Sequence, residues 1–196
     1  MRRGYNDEMT WFIALLFVLI VVGVLLYNSL IRDRNRVDAA WSDIDVQLQR
    51  RHDLIPQLVK AVDRYAGYEK TTLAAVTVLR EQAVQLAGRN SPDELGRKEE
   101  ELDRGVQRLI AVAESYPDLK ANENFLNLQE ELAATENYLQ FARRFYNGSV
   151  RQFNTRVETV PNNILAGTFN FGRRKFYQKT SDDAANVPLV ELGSVE

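Results

Sequence analysis

His52 is the only histidine of the 196-residue chain, and it lies in a stretch dense in acids and bases, "WSDIDVQLQRRHDLIPQL" (residues 41–58). An imidazole can act as the general base of a hydrolase, with a carboxylate such as Asp53 or Glu136 beside it. That chemistry also needs a nucleophile or a held water, and no hydroxyl or thiol lies in frame with His52. We therefore predict a capping or packing role for His52 and keep a histidine-dependent hydrolase as the alternative.

Other sequence patterns resemble functional motifs in residue type but lack the structural context that those motifs need. "GTFNFGRR", which starts at Gly167, has the glycine spacing of a phosphate loop, but no strand pattern precedes it and no Ser or Thr follows it. Three consecutive acids, Glu99 to Glu101, cannot converge on one calcium ion from a helix. A lone histidine in a chain without cysteine leaves a zinc site short of ligands. We predict no catalytic residue, no metal site and no cofactor.

The charge balance argues against a nucleic-acid partner, because 25 Lys and Arg residues face 27 Asp and Glu residues. Residues 141–179 differ from the rest, with eight basic residues and one acid. Aromatic side chains interleave with the last of these bases, a mixture typical of chains that rest on anionic headgroups. The predicted lipid-surface residues are Phe169, Phe171, Arg173, Arg174, Lys175 and Phe176. Aromatics tucked under a helical bundle, with the arginines exposed, would explain the same pattern.

Residues 9–27, "MTWFIALLFVLIVVGVLLY", form a run of 19 residues without a charge. As a helix they would be about 28 Å long, close to the roughly 30 Å thickness of the hydrocarbon core. The run is longer than the apolar part of a signal peptide, and no small-residue cleavage site follows it. We therefore predict an uncleaved anchor in membrane lipid, preceded by a short N-terminal segment, residues 1–8. A slight excess of arginine after the run favours a cytoplasmic body and an external N-terminus.

Apolar or small residues recur after the anchor at alternating spacings of four and three, from Val37 to Tyr65. This heptad seam predicts a helix over about 28–66 that continues out of the membrane. Arg51 interrupts the seam. A buried arginine needs a carboxylate, and we predict that Glu136, at a similar height on the last helix, supplies it.

Further helices are predicted from the same periodicity and from their end signals. In "NSPDEL", Ser91 suits an N-cap, Pro92 the first helical position and Glu94 the capping-box acceptor. No strand pattern is visible in the sequence. The predicted segments are helices over about 69–87, 92–115 and 123–158, a basic aromatic segment near the membrane over 161–179, and a disordered tail over 180–196.

Four helices joined by short connections are usually antiparallel neighbours. We predict an all-α fold, in which an N-terminal transmembrane helix continues into an elongated antiparallel up-down four-helix bundle, residues 28–160. The middle helices are the shorter ones, which leaves a coiled-coil stalk of two helices next to the membrane with uncovered apolar area. The predicted contacts within this stalk or between copies in a homo-oligomer are Trp41, Ile44, Phe145, Tyr146 and Phe153.

Three stretches, "NRVDAAWSDIDVQLQRRHDLIPQLV", "AVAESYPDLKANENFLNLQEEL" and "TENYLQFARRFYNGSVRQFNT", are followed by "VPNNILAG" and an F-x-F element. Together they strongly resemble the LemA family of bacterial membrane proteins. The resemblance implies a single-pass protein of the bacterial inner membrane, with a cytoplasmic four-helix bundle and an unassigned molecular function. It also suggests TPM-domain proteins or the HtpX membrane protease as partners, and it supplies no catalytic residue.

The function we expect is that of a membrane-anchored scaffold or adaptor that works through protein contacts, with self-assembly as one such contact. The expected partner surface comprises Arg50, Arg51, His52, Asp53, Tyr116 and Asp118. Besides the histidine-dependent hydrolase, a sensor of anionic lipid that acts through the basic C-terminal segment is a second alternative.

Overall fold

The computed structural model describes residues 3–66, 69–87 and 91–177, with side chains from residue 9 onward. Within these residues the chain is helical and has no strand, which confirms the predicted all-α class. The elements are α1 (Arg3–Asp63), α2 (Lys70–Ala87), α3 (Pro92–Ala113), α4 (Pro117–Lys120), α5 (Glu123–Glu158) and α6 (Asn162–Thr168). The tail predicted to be disordered, 180–196, and Lys179 lie outside the described residues.

Helix α1 is one continuous helix of 61 residues that runs through Pro56. In the part of the chain that the structure describes, it is the one helix long and apolar enough to cross a membrane. Its apolar side chains from Met9 to Leu25 are exposed, whereas Leu30 and the seam beyond it are buried. Helix α1 therefore changes from exposed to packed within about two turns of Tyr27.

The chain divides into two compact units, which are described separately. Unit 1 joins the described residues up to Leu54 with Asn127–Phe176. Its helices α1 and α5 are antiparallel, because residues pair in opposite order along them: Arg50 with Glu131, Trp41 with Tyr146, and Asp33 with Arg156. The buried residues that this pairing covers include Leu30, Val37, Ala40, Ile44, Leu48, Leu139, Tyr146, Val150 and Phe153.

Unit 2 contains the described residues between Ile55 and Leu126, together with Tyr177. Helix α2 packs closely on α3 where the latter has Gly105, since a Cβ there would lie 3.2 Å from Leu79 Cδ1. Ser91 occupies the predicted N-cap position of α3, and Pro92 lies in the first turn of the helix. The capping box itself is absent, because the Ser91 hydroxyl donates to the Asp93 carboxylate, 3.2 Å away, instead of capping the helix.

The connections hold more helix than the sequence pattern predicts. The polar stretch after Tyr116 forms the single turn α4, whose Leu119 is buried. The stretch after Pro161 forms α6. Both are too short for apolar periodicity to reveal them, since a helix of one or two turns shows no repeat. Beyond α6 the chain runs without regular structure to Tyr177.

Candidate interaction surface

Glu136 joins two arginines inside unit 1. Its carboxylate oxygens lie 3.3 Å from Arg51 Nη1 and 3.4 Å from Arg143 Nη1. The Arg51 side chain is 4% exposed and that of Glu136 is 24% exposed, so this is a largely buried ion cluster. The predicted Arg51–Glu136 pair is confirmed. Because Arg51 occupies a seam position, the carboxylate makes a charge tolerable where the rest of the helix presents apolar side chains.

The expected partner surface needs correction, because Arg51 and His52 are both buried. His52 follows Leu48 by one helical turn and precedes Ile55 by three residues, so all three lie on the inward side of α1. Of the remaining members, Arg50, Asp53 and Asp118 are exposed and Tyr116 is half-buried. A soluble substrate or a partner protein has no direct access to the imidazole in this conformation.

Most of the predicted stalk contacts lie inside unit 1. Ile44, Tyr146 and Phe153 are buried, and the half-buried Trp41 packs its ring 5.3 Å from that of Tyr146. These residues hold α1 against α5, so they are not available to a second copy. Phe145 differs from them, because about half of its side chain is exposed.

Phe145 belongs to an exposed aromatic surface on unit 1 whose other members were not among the predicted contact residues. Tyr138, Phe141 and Phe145 follow one another at spacings of three and four on α5, and Val46 faces them from α1. These four side chains are 49% to 65% exposed, which is unusual for large apolar residues so close together. They line an open groove of about 340 Å³, here called the aromatic groove, whose residues are Asp43, Val46, Gln47, Tyr138, Phe141, Ala142 and Phe145.

Charged groups border the aromatic groove on both sides. The Arg144 guanidinium lies 4.7 Å from the centre of the Phe141 ring, and that of Arg36 lies 5.6 Å from the Phe145 ring. Cations over ring faces hold the aromatic side chains in place. Asp43 supplies a carboxylate on the α1 side of the groove. The surface therefore combines an apolar centre with both signs of charge at its edge.

The predicted lipid-surface residues divide into exposed and packed groups. Phe171 is buried, with its ring 5.9 Å from Tyr27 and 6.5 Å from Phe153, so it is a packing residue. Phe169 is exposed on one side and contacts Tyr27 on the other, with ring centres 4.8 Å apart. Arg173 is exposed and pairs with Glu158. Of the others, Arg174 is partly exposed and pairs with Asp38, Lys175 is exposed and Phe176 is half-buried.

The segment after Phe171 is fixed to α5 by two polar side chains. Asn154 accepts from the Arg174 backbone N–H at 2.8 Å and donates to the Arg174 carbonyl at 2.9 Å. The Tyr146 hydroxyl donates to the Lys175 carbonyl at 2.9 Å. Burial raises the pKa of the Tyr146 hydroxyl above its usual value of about 10; the Arg174 charge lowers it, and the Asp38 charge raises it.

Tyr146→Phe is expected to flatten the loss of stability at alkaline pH. Because the folded-state pKa is raised, the unfolded chain ionises first, and stability falls as the pH rises from about 10 toward the folded-state pKa. The variant lacks this pH-dependent loss, and at neutral pH its stability falls by about 1 kcal/mol because the hydrogen bond from Tyr146 to the Lys175 carbonyl is gone. Denaturant titrations between neutral pH and pH 11, with the exposed Tyr138→Phe as control, measure both. Equal alkaline slopes in wild type and Tyr146→Phe would contradict the assignment.

A sequence profile described as the LemA family matches residues 40–192. Protein LemA of Metamycoplasma hominis is 26% identical over 188 residues, which cover 92% of this chain and 84% of that protein. Magnetosome protein MamQ 2 of Paramagnetospirillum magneticum is 25% identical, with coverage of 91% and 74%. Magnetosome protein MamQ of Magnetospirillum gryphiswaldense is 23% identical, with coverage of 97% and 78%.

Proposed function

The chain belongs to the LemA family, and we propose that it is a membrane-anchored scaffold that assembles with copies of itself and has no catalytic activity of its own. The observation that carries the proposal is the aromatic groove. A patch of large exposed apolar side chains in a soluble part of a protein is characteristic of a protein contact site. Tyr and Phe are also among the residues enriched at such sites.

Anchoring favours a second copy as the occupant of the groove. Every chain that enters the membrane through α1 with the same orientation carries its aromatic groove at the same height above the bilayer. Val46 is 19 residues beyond Tyr27, which on a helix is roughly 28 Å. Confinement to one plane raises the effective concentration of a matching groove and lowers the entropic cost of pairing.

The charges at the edge of the groove fit the same occupant. A twofold contact brings the same patch of both copies together, so each residue type on one copy must match one on the other. Asp43 on the α1 side and Arg144 on the α5 side are of opposite sign. Two copies that face each other can therefore pair these charges around an apolar centre.

Two observations support a role without catalysis. His52, the base that a hydrolase would require, is buried in the described structure. The relatives named above carry no enzymatic name. A cytoplasmic body and an external N-terminus at the inner membrane of a bacterium complete the proposal.

The double variant Phe141→Asp with Phe145→Asp is expected to convert a defined oligomer of the full-length protein into monomers. Two carboxylates per copy would have to lose water in the contact, and such burial is unfavourable for unpaired charges. Because both positions are exposed, the monomer fold tolerates them. Native mass spectrometry in mild detergent measures the mass, and Val78→Asp, an exposed valine of α2, is the matched control. A monomeric wild type, or an unchanged oligomer in the double variant, would refute the proposal.

A further inference from the structure

The turn that follows α5, residues 159–170, lies at the end of the membrane span. Its Phe169 ring contacts Tyr27, the last residue of the uncharged run. Since α1 rises 1.5 Å per residue, Tyr27 lies about 27 Å from Met9, close to the edge of a hydrocarbon core of roughly 30 Å. Phe169 is therefore at the level where acyl chains meet headgroups.

The chain on either side of this turn runs away from the membrane. The part of α5 that precedes the turn lies along α1, and its Arg156, near the end of α5, pairs with Asp33. After it, Phe171 still lies against Tyr27, but Arg174 pairs with Asp38, 11 residues farther along α1. Apart from the span itself, the turn is thus the part of unit 1 nearest the membrane.

Three large apolar side chains of the turn are exposed instead of packed. Val160, Ile164 and Phe169 are 54% to 77% exposed, although α6 has an inward residue, Ala166, that is buried. In a turn that faced water, this exposure would be unfavourable. At the membrane surface the same residues gain by insertion among acyl chains.

Arginines lie just beyond this apolar level. Arg32 and Arg34 are five and seven residues past Tyr27, and Arg32 is exposed. The exposed guanidinium of Arg173 is held near the turn by Glu158 at 2.8 Å. Apolar residues at the acyl boundary with cations one to two turns above them form the pattern of a surface that recognises anionic headgroups.

We propose that the turn 159–170 is a second membrane contact, in which Val160, Ile164 and Phe169 insert into the bilayer that α1 spans and the arginines above them meet anionic phosphates. The contact fixes unit 1 at a set height and orientation on the membrane. The turn is a surface different from the aromatic groove, and its membrane contact does not depend on the proposed self-assembly.

Nitroxide labels on single cysteines test the insertion in the full-length protein, since the chain has no cysteine of its own. The test position is Ile164→Cys; Leu25→Cys in the span is the lipid reference, and Gln49→Cys, exposed on α1 beyond the membrane, is the water reference. Vesicles contain equal parts of phosphatidylcholine and phosphatidylglycerol. Electron paramagnetic resonance then gives the ratio of collisions with dissolved oxygen to collisions with a water-soluble nickel chelate.

We expect the oxygen-to-nickel ratio at Ile164 to exceed that at Gln49 several-fold and to approach that at Leu25. A ratio at Ile164 equal to that at Gln49 would overturn the insertion. In vesicles of phosphatidylcholine alone we expect the Ile164 ratio to fall, because the arginines lose their anionic partners. An unchanged ratio there would overturn the anionic preference while leaving the insertion in place.

Discussion

Replacing Glu136 by Gln is expected to lower the free energy of unfolding by about 3 kcal/mol, the lower end of the cost of breaking a buried ion pair. The substitution keeps the size of the side chain and removes its charge. Arg51 then keeps a buried positive charge, and Arg143 loses the same counter-charge. The loss falls at the lower end because Glu136 is 24% exposed, which lets water replace part of the interaction.

The exposed pair Arg50–Glu131 gives the matched control for this prediction. Its two side chains are 50% and 51% exposed, and Glu131→Gln should change stability by less than about 1 kcal/mol. Adding Arg51→Met to Glu136→Gln should recover part of the loss, since the buried charge of Arg51 is then gone while that of Arg143 stays. Chemical denaturation of the four proteins measures the differences. Equal losses for Glu136→Gln and Glu131→Gln would show that burial does not set the strength of the Glu136 cluster.

Asn154→Ala is expected to release the segment that follows Phe171 and to cost about 2 kcal/mol, because the partly buried N–H and C=O of Arg174 both lose their hydrogen bond to the Asn154 side chain. The Asn154 side-chain amide accepts one hydrogen bond from the Arg174 backbone and donates one to it, as a neighbouring strand would in a sheet. No other residue type both accepts and donates with this geometry except glutamine, whose side chain is longer.

Trypsin cleavage after Arg174 and Lys175 reports the release directly. The rate should rise by about tenfold or more, since each 1.4 kcal/mol corresponds to a factor of ten in the population of the open form. Asn154→Asp keeps the acceptor and loses the donor, so it should give an intermediate rate, and the exposed Asn163→Ala should match wild type. Unchanged cleavage in Asn154→Ala would mean that other contacts hold this segment.

The burial of residues that recur at heptad spacing along α1 was predictable from the sequence, whereas the burial of residues next to that repeat was not. The spacing from Val37 to Val62 identified the buried side of α1, and the break at Arg51 identified a buried charge that needed Glu136. His52 is adjacent to the seam, and a spacing rule cannot decide on which side of the boundary such a residue falls. Its burial depends on how far the neighbouring helices cover α1, which is a property of packing.

Only Phe145 of the aromatic groove was predicted as a contact residue, because α5 carries two apolar stripes. Leu139, Tyr146 and Phe153 repeat at the core spacing and were predicted from it, while Tyr138 and Phe145 lie one position before Leu139 and Tyr146 and face outward. An apolar surface wider than one stripe was the signal that could have revealed the groove. Phe171 presents the reverse case, since an aromatic residue in a basic segment suggests a surface, yet the fold places it against Phe153.

The proposed self-assembly through the aromatic groove is tested most directly by cross-linking in a bacterial membrane. Val46→Cys places one thiol in the groove of an otherwise cysteine-free chain, and Val78→Cys places one on α2 as the control. With a short bismaleimide we predict a covalent dimer for Val46→Cys that Phe145→Asp abolishes, and none for Val78→Cys. The absence of the Val46→Cys dimer, or equal yields at both positions, would contradict the account.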